Sequence, residues 1–276
     1  ANGMGRTFIG VADDATSTVT NPAGLVSLTK RQVYVEYKNS SIKVNRLATV
    51  DSWLSAAHTP TEFSKNVSSI SFFNVSTPIN SRLAVGVTYH EFLNYKEDFQ
   101  LAARTIPDIS NPGSPITVGG LGFAANPVEG SASFRGTSVA GSVGYSLNPM
   151  VQVGATLSIN HLTAEATATR LGINFLPGFP SPNPLAVSSN PIVKNQTKID
   201  DSGNALGAVL GVLVKPNENV SIGFNYTKSP HFSLSENFLV NPGFANGTQQ
   251  ALVTSAGFPT GISINVPDHF GVGVAV

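Results

Sequence analysis

Residues 3–16 read GMGRTFIGVADDAT and run through Ser17-Thr18-Val19-Thr20 into Asn21-Pro22-Ala23-Gly24-Leu25. This leader fits neither a strand nor a regular helix. Gly3, Gly5 and Gly10 open backbone conformations closed to other residues, and Pro22 keeps Asn21 out of the helical region. An apolar run, Phe8-Ile9-Gly10-Val11-Ala12, stands directly against Asp13-Asp14 and Thr16-Ser17-Thr18. Apolar and turn chemistry mixed so closely calls for walls around it, so a compact insert inside a larger cavity is expected. The plain alternative is an Asx-Pro turn ahead of a strand, with Asp13 and Asp14 solvated. The rest of the chain decides between the two.

A chain of 276 residues suffices for one large β domain. Only 12% of the residues are charged, against roughly 25% in a typical soluble domain. Lys plus Arg (16) equals Asp plus Glu (16), so no basic field gathers nucleic acid. Without cysteine there is no disulfide framework, thiolate metal site or thiol nucleophile. The longest apolar run, ALGAVLGVLV at residues 205–214, has ten residues, and a membrane helix needs about 20. Contact with a bilayer is therefore expected through strands.

Period-two alternation recurs along the chain. Val33, Val35 and Tyr37 alternate with Tyr34, Glu36 and Lys38; Ile70 and Phe72 are expected on one face, Ser69 and Ser71 on the other. Leu83, Val85, Val87 and Tyr89 oppose Ala84, Gly86, Thr88 and His90, before a polar continuation over residues 91–100 that outruns an apolar slab. Val139, Val143, Tyr145 and Leu147 oppose Ala140, Ser142, Gly144 and Ser146; Val151, Val153, Ala155, Leu157 and Ile159 oppose Gln152, Gly154, Thr156, Ser158 and Asn160. The same pattern marks residues 220–227 and 270–276, and residues 198–214 return as a further strand. About eight strands result, joined by short turns at 77–80, 148–150 and 216–219 and by long loops between them, the asymmetry of outer-membrane barrels. The less bulky face carries Gly, Ser, Thr, Asn and Gln with few charges, whereas a soluble sandwich puts Lys and Glu there. Bulky side chains are accordingly expected toward lipid and small polar ones toward a crowded, wet lumen.

The leader resembles the amino-terminal hatch of the outer-membrane long-chain fatty acid transporter family, the FadL and toluene-transporter group. Gly3-Met4-Gly5, Val11-Ala12-Asp13-Asp14-Ala15 and Asn21-Pro22-Ala23-Gly24-Leu25 carry the likeness. The turns Leu147-Asn148-Pro149 and Lys215-Pro216-Asn217-Glu218-Asn219-Val220, and Val266-Pro267-Asp268 ahead of Gly271-Val272-Gly273, extend it. The resemblance implies an all-β fold, a transmembrane antiparallel β-barrel plugged by an N-terminal hatch. Residues 1–28 would form the hatch and 29–276 the N-terminal part of the barrel, about eight of roughly fourteen strands. A secretory signal and the first hatch residues are expected ahead of Ala1, and further strands beyond Val276.

The same resemblance implies localisation in the bacterial outer membrane, contact with its lipid and lipopolysaccharide, a monomer, and passive uptake of hydrophobic small molecules, fatty acids or aromatic hydrocarbons. Asn21, Pro22 and Ala23 carry over as hatch elements, and Phe8 and Ile9 are candidate ligand contacts there. The apolar loops at 171–195 and 238–258 match the family's outer capture site, with Phe175, Leu176, Phe179, Phe244 and Phe258 as candidates. Burying apolar ligand area there is worth about 25 cal/mol per Å². A lateral gap beside the third strand is implied too, linked to an irregularity within residues 82–100 that the sequence leaves unplaced.

No catalytic constellation, cofactor motif or metal site emerges, and the protein is not expected to be an enzyme. His58, His90, His161, His231 and His269 lie far apart without metal spacing. Asp200 and Asp201 are neighbours on a strand and face opposite ways, so solvation near the rim is their expected role. Gly119-Gly120-Leu121-Gly122 opens no helix and makes a poor phosphate cradle. The competing reading is a surface β-barrel or sandwich with an adhesive or structural role.

Overall fold

A strand that alternates bulky with small side chains has two unlike faces, and the long strands of this protein turn the small face the same way. The computed structural model describes residues 8–46, 61–101, 128–172, 192–217, 219–240 and 261–276, with short ladders within 104–125 and 244–254. The leader contains two one-turn helices, α1 (Phe8–Val11) and α2 (Ser17–Thr20), and a 3-10 helix (Pro22–Ser27). The strands are β1 (Gln32–Arg46), β2 (Thr61–Pro78), β3 (Leu83–Leu101), β4 (Val128–Asn148), β5 (Val151–Gly172), β6 (Ile192–Val214), β7 (Ser221–Lys228), β8 (His231–Val240), β9 (Gly261–Asn265) and β10 (His269–Ala275).

Eight strands follow one another in the order β1-β2-β3-β4-β5-β6-β7-β10, each antiparallel to its neighbours. The three short turns form where expected and share one device. Asn80, Asn148 and Asn217 each accept two backbone N–H groups with the side-chain oxygen, which fixes the reversal locally.

Laid flat, eight strands about 4.8 Å apart would span about 34 Å. The short leader nevertheless touches seven of these eight strands, β2 to β7 and β10, on one face, through Asn74, Thr88, Ser142, Thr156, Gly211, Asn225 and Gly273. The sheet must therefore curl around it, and it does so as a half-barrel.

The two faces differ as the alternation predicts. Leu157 is 63% exposed beside Thr156 at 5%. Val87, Val139, Ile159, Leu210, Phe224 and Val272 are exposed likewise, while Thr88, Ala140, Asn160, Val209, Gly223 and Gly273 turn inward and are buried. An outer surface of this kind has no stable contact with water, because each apolar side chain left wet forgoes about 1.5–3 kcal/mol. No helix among the described residues is long and apolar enough to cross a membrane.

The structure departs from three of the expectations. Ile70 and Phe72 do not share a face: Ser71 is an extra residue opposite the Glu36–Tyr37 step, so Ile70 points out and Phe72 is buried. Residues 238–240 are not loop but the end of β8, which pairs with β6 through Asn195–Ile199 and with β9. Asp201 does more than solvate a strand, since its carboxylate accepts the Ser235 N–H of β8 at 2.8 Å.

Replacing Leu157 by Arg tests the orientation. In the complete protein reconstituted in lipid, urea unfolding should show a loss of about 2–4 kcal/mol, the cost of an arginine facing lipid at mid-depth. A soluble sheet with Leu157 in water would barely respond.

Candidate functional site

The leader meets the wall backbone to backbone. A Cβ at Gly154 of β5 would stand 2.3 Å from the Ala23 nitrogen, one at Gly223 of β7 1.9 Å from the Ile9 carbonyl, and one at Gly211 of β6 2.1 Å from the Asn21 side chain. Glycine in each of these strands is thus a steric requirement of the plug, distinct from its usual cost to a strand.

Polar groups then tie the two together. Thr156 donates to the Thr18 carbonyl at 2.7 Å, Thr88 to the Thr18 hydroxyl at 2.8 Å, Asn225 to the Thr20 carbonyl at 2.6 Å and Ser221 to the Gly10 carbonyl. Asn21 is fully buried, donating to the carbonyls of Ile9 (2.9 Å) and Val212 (3.1 Å) while its own oxygen takes the Ala23 N–H. Pro22 and Ala23 are buried beside it. Asp14 caps Thr16 through both its amide and its hydroxyl at 2.7 Å, and Asp13 is exposed. Ala12, between the two short helices, holds a left-handed backbone (φ 37°), a cost of roughly 1–2 kcal/mol for a residue other than glycine. Ile9 is half-buried, its Cδ1 against the backbone of Gly271.

A second feature lies in the wall. β2 pairs with β1 along its whole length but with β3 only from Pro78↔Ala84 to Phe72↔His90. β3 stays with β4 as far as Leu101, with one extra residue, Phe92, between Glu91↔Thr137 and Leu93↔Gly136. This is the irregularity of the third strand. Beyond His90 the wall splits between β2 and β3, and a cavity of about 660 Å³ opens there, lined by Val67, Ile70, Phe73, Tyr89, Lys96 and Arg135 among others.

At the base of the split sits Glu91, its side chain 2% exposed. Its carboxylate accepts from the Ser69 hydroxyl across the split, from Asn94 at 3.0 Å and from Arg135 Nε at 3.1 Å. A carboxylate taken out of water needs such partners, since desolvation costs several kcal/mol. Further along, Lys65 of β2 pairs with Asp98 of β3.

The third feature lies inside the lumen. Between β7 and β8 the chain breaks at Ser229-Pro230, and Asp268 holds the break by accepting the Ser229 N–H and the Tyr226 hydroxyl, both at 2.8 Å. β8 then carries Phe232 and Leu234 into a buried cluster with Leu162 and Ala164, against Phe134, Ile199, Ala205 and Ile264. Rings line the same face: Tyr34, Phe72, His90, Phe92 and Phe232 follow one another at 5.7–6.4 Å between centroids.

Of the residues expected at a site, Asn21, Pro22, Ala23 and Ile9 thus come together at the plug. Phe175, Leu176, Phe179 and Phe258 lie outside the described residues, as does His58; Phe8 and Phe244 are described only in backbone, within α1 and a short ladder with Thr248–Gln249. The sequence reading passed over Glu91, Phe92, Arg135 and Phe232. A signal existed for two of them, because Glu91-Phe92-Leu93 interrupts the alternation of Leu83 to His90 with a charge and two adjacent bulky residues. Among the described residues no cluster of His, Asp and Glu could hold a metal ion.

Two substitutions probe the plug. Asn21→Ala strips two carbonyls of their donor and should destabilise the leader by about 1–3 kcal/mol; Gly154→Val drives a side chain into the Ala23 backbone. Single-channel recordings of both variants should show larger or more frequent openings than the parent, and unchanged traces would mean that the leader does not block the lumen.

The description of one protein family, outer membrane protein transport protein (OMPP1/FadL/TodX), fits residues 120–276, more than half of the chain. Among solved structures, a FadL homologue of Pseudomonas aeruginosa superposes with a TM-score of 0.50 at 16% identity, covering 82% of this chain and 50% of that one. The CymD monoaromatic hydrocarbon channel follows with a TM-score of 0.47 at 14% identity, covering 95% and 59%. The chain therefore spans about half the length of these structures. Comparison with curated proteins gives no match. Curled sheet, lipid-facing aliphatics and family description agree: this outer-membrane chain forms part of a transmembrane antiparallel β-barrel and belongs to the OMPP1/FadL/TodX family of outer membrane transport proteins.

Proposed function

We propose that the protein admits hydrophobic small molecules, fatty acids or aromatic hydrocarbons, across the outer membrane passively and without covalent chemistry. Residues 1–28 act as the hatch and 29–276 as the adjoining barrel wall. The observation that carries the reading is the split between β2 and β3. A hydrophobic solute inside a polar lumen gains nothing by continuing toward water. It gains about 25 cal/mol per Å² of apolar surface by leaving sideways into hydrocarbon.

The route begins at the outer loops, where Phe175, Leu176, Phe179, Phe244 and Phe258 offer apolar surface to a ligand leaving water. It continues down the lumen to the hatch, where Phe8 and Ile9 meet the ligand and the bonds of Asn21 and Thr18 yield. It ends at the split, where Ser69 of β2 parts from Glu91 and Asn94 of β3. Hydrogen-bonded seams suit such a step: a neutral bond contributes about 0.5–1.5 kcal/mol net and one to a charged group about 1.5–3 kcal/mol, and Asn94 and Arg135 stay on the Glu91 carboxylate when Ser69 leaves it. The protein works as a monomer in contact with membrane lipid and lipopolysaccharide.

Two experiments bear on this. Liposomes holding the complete protein should take up oleate faster than empty ones, and Phe175→Ser with Phe179→Ser should slow that uptake several-fold. Because the chain lacks cysteine, thiols placed at Ser69 and Asn94 can be joined by a short bifunctional reagent, which should stop uptake until the bridge is reduced. Equal rates in the bridged and open protein would remove the split from the route, and loops serving adhesion would leave uptake indifferent to both phenylalanines.

A further inference from the structure

Two irregular strands meet ring to ring inside the lumen. Phe92 is the extra residue in β3, and its ring lies over Gly136 of β4, where a Cβ would come within 2.3 Å of it. Phe232 arrives from β8, which turns inward after Ser229-Pro230 while residues 200–207 of β6 pair with neither β7 nor β8. The two rings stack with centroids 6.4 Å apart and planes at 19°. Phe232 is 2% exposed.

A bulge residue has no opposite number in the ladder, so the ladder does not fix where its side chain points. Here Gly136 supplies the floor and Phe232 the lid. From Phe92 the contacts pass to His90 and Phe72, the last residue pair that joins β3 to β2 before the split. A shift of Phe92 is therefore felt at the base of the split, two residues away in β3.

We propose that Phe232 is a positioning residue for the wall opening: by stacking on Phe92 it holds the β3 bulge and with it the closed form of the β2–β3 split. An apolar ligand descending the lumen, a ring or a chain about as wide as a phenyl group, competes with Phe232 for the face of Phe92. Arrival of the ligand and loosening of the split then become one event. The functional meaning of this coupling rests on the transport reading above; the coupling itself is tested without transport.

A single thiol at Val67, a buried residue lining the split cavity, reports its opening through the rate of labelling by a bilayer-soluble maleimide in liposomes without ligand. Phe232→Ala should raise that rate about three- to tenfold, the factor an aromatic pair commands. Phe92→Ala should do the same, and the double variant should add nothing, since the two rings act as one unit. Phe224→Ala, on the outer face of β7, should leave the rate alone. Phe232→Leu, which keeps bulk but not the stack, should give an intermediate rise and serves if the alanine variant does not assemble. Parental labelling in Phe232→Ala or Phe232→Leu, or multiplied effects in the double variant, would overturn the proposal. Oleate uptake measured on the same proteins separates the two ideas: faster labelling without transport leaves the coupling standing and removes the transport reading.

Discussion

Everything in this structure depends on how closely the leader's backbone approaches the wall. Gly154 and Gly223 bring peptide groups of the leader, and Gly211 the Asn21 side chain, to distances at which no side chain fits. Close approach leaves the leader's amides and carbonyls without water, so each has to find a partner in the wall. Thr88, Thr156, Ser221 and Asn225 supply them. The polar, small-residue face of the strands is thus the complement of one particular plug, and the sheet's curl follows from the leader's reach across seven strands.

The same constraint explains why the wall is strong where it is and weak elsewhere. Alongside the leader, β2 to β7 form continuous ladders. The described leader residues bond β2 and β3 at Asn74 and Thr88, and the β2–β3 pairing ends at Phe72↔His90. In place of backbone bonds the split is bridged by side-chain ones: Ser69 on Glu91, Asn94 on Ser69, and Lys65 on Asp98. Side-chain bonds can be exchanged one at a time, whereas a ladder yields cooperatively.

Much of this architecture could be read from residues alone. Period-two alternation located the long strands, and the asparagine turns at Asn80, Asn148 and Asn217 fell where two strands left no room for a loop. The leader's glycines and its Asn21-Pro22-Ala23 turn announced a compact insert. Reading stopped where contacts between distant residues take over. The bulge at Phe92 has no glycine or proline to announce it, and Ser71 broke a pattern that looked regular. β8 was taken for loop because Pro230 ends one strand without revealing that another begins inside the lumen. Phe232 lies 140 positions from Phe92, and nothing in either neighbourhood points to the other.

The sequence by itself determined, wherever a strand runs without a bulge, which face meets hydrocarbon and which meets the plug, because side-chain direction in a strand is set by parity, a purely local property. It also determined where the chain turns back, through asparagine side chains that bond their own backbone. Only the tertiary structure decided where the wall comes apart and what holds it there. Register between strands, the placing of an extra residue and the stacking of Phe92 on Phe232 are settled by the joint packing of β2, β3, β4 and β8, and no single stretch of chain contains the energy that selects them.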